Sequence, residues 1–109
     1  MKIKEINSEH ILFDNEMKIE FDHVQDCCEY NYADFEQLSD QQVIGIVEFD
    51  EKTMEFEKVE YSGFRFGSKG TQMYFVPCYS EQNGYYSSDV EIYFNNQKVL
   101  EVYGEFIQR

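Results

Sequence analysis

The sequence predicts a mainly β domain, an antiparallel sandwich or strongly curled sheet of about seven strands, reaching α+β only at its margin through one short helix near residues 35–41. Three observations carry this. Aromatic residues make up 17% of the 109 residues, ten Phe and nine Tyr without Trp, and such side chains pack well on pleated surfaces. Apolar residues recur with period two along most of the chain. Turn-forming residues separate the runs at short intervals, leaving no room for helical crossovers between parallel strands.

In chain order, "MKIEFDH" puts Met17, Ile19, Phe21 and His23 on one face and Lys18, Glu20 and Asp22 on the other, a half-buried strand. "VIGIVEFD" (Val43 to Asp50) is apolar on both faces before it alternates, as a central strand would be. "MEFEKVEY" alternates until Lys58, where a β-bulge would absorb the slip in phase. Pro77, the only proline, puts "TQMYFVPCY" at an edge or interrupts it there, because proline cannot donate to a ladder. Val90, Ile92 and Phe94 fall in phase, and so do Leu100, Val102 and Phe106. Turns are expected at Asp14-Asn15, Asp50 to Lys52, Gly67 to Gly70, Asn83-Gly84 and Asn95-Asn96, with Asn-Gly the strongest hairpin signal. "ADFEQLSDQQ" breaks the alternation. Asp34 and Gln37 form a variant capping box, and Phe35 and Leu38 share one side of a helical turn.

This length supports one domain, 1–109, with a single modest core. No apolar window reaches membrane-spanning length. "MKIKEINSEH" lacks the apolar core of a secretory signal, so the chain reads as cytoplasmic. Three cysteines are an odd number, and the adjacent Cys27 and Cys28 cannot pair without distorting the peptide between them, so reduced thiols are expected.

The net charge is −13. From Asp14 to Glu60 there are fifteen acids against three Lys, a net of −12. That balance disfavours direct binding to nucleic acid or anionic lipid, which are held mainly by Lys and Arg. A partner protein with a basic surface fits better; the plainer alternative is charge that only maintains solubility.

Two clusters carry possible chemistry. "DHVQDCCEYNYAD" places His23, Asp26, Cys27, Cys28 and Glu29 together. A zinc site would have to combine His23, Cys27, Cys28 and the distant Cys78, since adjacent cysteines on an extended chain point to opposite faces. A reactive thiolate at Cys27 or Cys28 would need His23, four residues before Cys27, to lower its pKa. The like charges of Asp22, Asp26 and Glu29 oppose it, and free cysteines more often behave as small core residues. "CYSEQNGYYSSD" adds Tyr79, Tyr85 and Tyr86 with serines, a composition suited to contact surfaces.

Read together, "HVQDCCEYNYAD" and "NGYYSSDV" make the chain resemble a family of small uncharacterised phage and bacterial proteins, a domain of unknown function. That family carries a His-x-Gln-Asp-Cys-Cys-Glu stretch and an Asn-Gly-Tyr-Tyr-Ser turn, matched here at His23, Gln25 to Glu29 and Asn83 to Ser87, in the same order from Ile11 to Phe94. The resemblance implies no activity. It implies that the two motifs mark one structural or binding feature, with the Asn-Gly hairpin near the Cys-Cys corner and Cys78 within reach. The expectation is a non-enzymatic accessory protein of a phage, mobile element or bacterium, with no cofactor and no catalytic residue. It would bind a basic protein partner through an acidic, Tyr-rich surface, and nucleic-acid mimicry is the sharpest form of that reading. The binding residues would be His23, Asp26, Glu29, Tyr85 and Tyr86. The rival expectation is a metal- or thiol-dependent site on His23, Cys27, Cys28 and Cys78.

Overall fold

A computed structural model describes residues 1–23, 28–84 and 86–108. Its strands are β1 (Ile3–Ile6), β2 (His10–Phe13), β3 (Lys18–Asp22), β4 (Tyr30–Ala33), β5 (Met54–Val59), β6 (Gly63–Ser68), β7 (Tyr74–Gln82), β8 (Asp89–Phe94), β9 (Gln97–Tyr103) and β10 (Glu105–Gln108). A 3₁₀ helix, Phe35–Gln41, lies between β4 and β5. One sheet runs β1-β2-β3-β8-β9; the other runs β10-β7-β6-β5, with β4 also paired to β7. Pairing is antiparallel except between β10 and β7, which run parallel. The fold class is as expected, a sandwich. The added strands are β1, β2 and β4, which are too short to show clear alternation, β6, whose glycines Gly63 and Gly67 give the segment the look of a turn, and β10, which separates from β9.

The core lies between the sheets and is built on aromatic rings. Phe13, Phe35, Phe49, Phe64 and Phe66 are fully buried among Ile3, Ile11, Ile19, Val76 and Ile92. Each contributes about 1.5–3 kcal/mol by leaving water. The ring centroids of Phe13 and Phe49 lie 5.6 Å apart, and those of Phe49 and Phe66 lie 5.7 Å apart.

Several local expectations are corrected. Val43 to Asp50 is not a strand: Gly45 takes φ +72° in a turn, leaving Ile44 and Ile46 exposed while Val43 and Phe49 enter the core. Backbone bonds from Gly45 N to Ile3 O (2.8 Å) and Phe49 N to Met1 O (2.7 Å) tie the segment to β1. No bulge interrupts β5, which pairs residue for residue with β6 from Met54↔Ser68 to Val59↔Gly63. Lys58 keeps the phase of Met54 and Phe56, and its Nζ lies 4.9 Å over the Tyr103 ring, a cation–π contact that suits a charge at the sandwich rim. Asp34 makes no side-chain cap bond, although Phe35 and Leu38 are buried as expected.

Asn83-Gly84 does not close a hairpin, because β7 and β8 belong to different sheets. The tight turn is Asn95-Asn96, with φ of +50° and +66° between the paired Phe94 and Gln97, the conformation of a two-residue hairpin. Phe106 is half-exposed rather than in core phase. The chain breaks at Gly104, where a Cβ would sit 2.8 Å from the Tyr79 backbone; only glycine lets β10 cross so closely onto β7. Pro77 marks where β7 changes partners, from β6 to β4 and β10. Its carbonyl accepts from Asp34 N at 2.8 Å. The donor it lacks would face the end of β4, where the chain turns into the helix.

Candidate functional site: a carboxylate row beside a buried histidine

Alternation on β3 turns Ile19 inward and Glu20 and Asp22 outward; on β8, Val90 and Ile92 point inward and Glu91 and Tyr93 outward. Register then aligns the outward residues. Asp22 pairs with Glu91 and Glu91 with Glu101, so three carboxylates stand in one row across β3, β8 and β9. Like charges directly opposite each other on a sheet face cost stability, about 0.2–1 kcal/mol per pair. Among the described residues, Lys98 is the cation on this row, 2.9 Å from Glu101 and 3.7 Å from Glu91. Its hydrogen bond to Glu101 and the neighbouring acids hold its ammonium above the ordinary lysine range. Tyr93 OH donates to Glu91 at 2.7 Å, and that bond raises the phenol above its usual value.

Two residues before Glu91 on β8, Asp89 connects the surface to a buried ion cluster. His23 is 6% exposed in its side chain and Glu29 only 1%, with Nε2 2.6 Å from Glu29 Oε1. Its Nδ1 lies 3.5 Å from Asp89 Oδ2. Burial pushes the imidazole pKa down, but the hydrogen bond and charge of Glu29, with Asp89 behind them, outweigh it and leave the value raised. His23 therefore favours the imidazolium form, held between two carboxylates.

A buried polar network fixes the same corner. Asn31 Nδ2 donates to Ser87 O and Asp89 O at 2.9 and 3.0 Å. Ser80 Oγ donates to Asn31 Oδ1 at 2.5 Å, and Gln82 Nε2 to Ser80 Oγ at 2.6 Å. Gln82 Oε1 in turn accepts from Tyr86 N at 2.7 Å. The two sequence stretches thus meet, His23 of the first lying against Asp89 of the second and Asn31 donating to Ser87 and Asp89.

Of the residues singled out in the sequence, His23 and Glu29 are in contact. Tyr86 lies in a separate groove of about 360 Å³ lined also by Tyr61 and Phe106. Asp26, Cys27 and Tyr85 lie outside the described residues. Cys28 is exposed, whereas Cys78 is buried and pairs with Ala33 at the far end of β4 from Cys28. Burial pushes the Cys78 thiol up to about 12, so it is a protonated core residue at neutral pH. In native protein a thiol reagent should leave Cys78 unmodified until the chain unfolds; mass-mapped labelling as fast as in urea would refute this. Among the described residues no cluster of three or more His, Cys, Asp and Glu is arranged to hold a metal ion. No helix among them is long and apolar enough to cross a membrane.

Among the described residues the acidic segment spans both sheets, with β3 in one and β5 in the other. Its carboxylates divide among β3, the 3₁₀ helix, the Asp50–Glu51 turn and β5. Asp22, Glu91 and Glu101 are the residues that sequence reasoning missed. Alternation marks each as outward, but only strand order brings them together.

No curated protein and no solved structure matches the chain. A family model matches residues 1–92, most of the chain's length and both members of the Asp22–Glu91 pair. The chain belongs to that family, the domain of unknown function DUF7448.

Proposed function

We propose that the chain is a non-enzymatic binding module that docks a basic surface of a partner protein on the outer face of β3, β8 and β9. The observation that supports it is the row Asp22–Glu91–Glu101, where like charges face one another at a cost that a cationic partner would offset. In its sharpest form the partner's surface is a groove that otherwise holds nucleic acid, and the row stands in for phosphates.

Titration of the labelled protein with an oligolysine peptide at low salt tests this. Amide shifts should centre on Asp22, Glu91 and Glu101, and affinity should fall steeply as salt rises. Affinity unchanged by salt, or shifts centred on the helix and the Asp50–Glu51 turn, would refute it. Asp22→Asn should also separate stability from binding. It keeps the acceptor that His23 N uses while removing a like charge opposite Glu91. The variant should unfold about 0.2–1 kcal/mol later at low ionic strength yet bind oligolysine more weakly. A destabilised variant with unchanged binding would contradict both halves.

A further inference from the structure

On the opposite face of the sandwich, the outer side of β4 and β7 carries a tyrosine ladder that the carboxylate row does not involve. Tyr30 and Tyr32, two apart on β4, stack with ring centroids 4.7 Å apart and planes 22° apart. Tyr32 continues onto Tyr79 of β7 at 5.6 Å. Tyr30 remains 45% exposed. Register sets Glu81 beside Tyr30 and Glu105 beside Tyr79, and Asp34 follows directly on β4. Among the described residues Glu81, Glu105 and Asp34 have no ion-pair partner.

We propose that this face is a second contact surface, which takes arginine side chains from an extended segment of a partner protein onto the rings of Tyr30, Tyr32 and Tyr79. Stacked aromatic faces accept either nucleobases or guanidinium planes. The surrounding charge decides between them. A base arrives with a phosphate that Lys or Arg must neutralise, whereas here the neighbouring charged groups are carboxylates. Burial and then Glu81 and Asp34 push the Tyr32 phenol above its ordinary value, with no cation acting against them. A guanidinium can lie flat on a ring while its edge donates to a carboxylate at the rim; an ammonium offers no such plane. An extended segment fits because β4 pairs with β7 and with no other strand among the described residues. Alternate side chains of a segment lying beside β4 would recur about 6.6–6.8 Å apart, the backbone repeat of Tyr30 and Tyr32, whose rings lean together to 4.7 Å and leave Tyr30 as the exposed end of the stack.

The test is an amide-shift titration of the whole chain with a glycine-spaced arginine peptide and its lysine counterpart, at one salt concentration. The arginine peptide should bind more tightly, with shifts on β4 and the C-terminal half of β7. Tyr30→Leu should weaken it by about two- to fivefold, as loss of one exposed cation–π contact does, while Tyr30→Phe should retain it. Asp22→Asn should leave the arginine preference unchanged, so failure of the carboxylate-row reading and failure of this one are distinguishable. Equal affinity for the two peptides, indifference to Tyr30→Leu, or shifts confined to β3, β8 and β9 would each overturn the proposal.

Discussion

Replacing His23 with leucine should lower the unfolding free energy by about 3–5 kcal/mol, the usual cost of removing one partner from a buried ion pair. The Glu29 carboxylate, 1% exposed, sits 2.6 Å from the imidazole and would lose that cation without gaining water. Asp89 would lose its contact with Nδ1. Exchanging both members, His23→Leu with Glu29→Leu, should recover part of the loss, because a well-packed apolar pair often equals a buried ionic one. Urea unfolding of the single and double variants checks this. A single-variant loss below about 1 kcal/mol would show that the pair carries little, as exposed pairs do.

The same cluster fixes the sign of a pH effect. The native imidazole has a raised pKa, so the folded protein holds this proton more tightly than the unfolded chain does. The stabilisation is complete below the ordinary histidine value of 6.5 and is lost as the pH climbs through the higher native value. Wild-type stability should therefore fall across that interval on the alkaline side of 6.5. Subtracting the curve of His23→Gln removes the contribution of the many surface carboxylates. A difference curve that is flat, or that rises with pH, would contradict the buried imidazolium.

Much of the sandwich was legible because alternation is a local property. Ile19 and Phe21 on β3, and Val90 and Ile92 on β8, can each be placed from their own neighbours. The site depends on non-local facts. Glu91 faces Asp22 only because β3 and β8 pair across sixty-odd residues, and no pattern within either strand states that register. Phe106 keeps the phase of Leu100 and Val102 in the sequence. Gly104 nonetheless releases the chain onto β7 and into the surface, a step dictated by the nearness of the Tyr79 backbone. Asn83-Gly84 and Asn95-Asn96 both permit positive φ. Which of them closes a hairpin is decided by whether the flanking strands share a sheet.

Phe49→Ala should cost about 3–5 kcal/mol, the loss expected for a large aromatic deleted from a close-packed core. Phe49 is 2% exposed, with its ring centroid 5.6 Å from Phe13, 5.7 Å from Phe66 and 5.8 Å from Tyr74. Its ring reaches both sheets, whereas the backbone of Val43 to Asp50 joins no ladder among the described residues and is tied to the first strand by the isolated bridge Lys2↔Glu48 and the Gly45 N to Ile3 O bond. Ile46→Ala is the informative companion. Ile46 is 66% exposed, so its truncation should fall within about 0.5 kcal/mol of wild type. Were the segment the central strand that its run of apolar residues implies, Ile46 would be buried and its loss would cost about 2–5 kcal/mol. Denaturant unfolding of the two variants therefore separates a chain anchored by one ring from a chain woven into a ladder. A large effect at Ile46 with a small one at Phe49 would overturn the packing described for this half of the core.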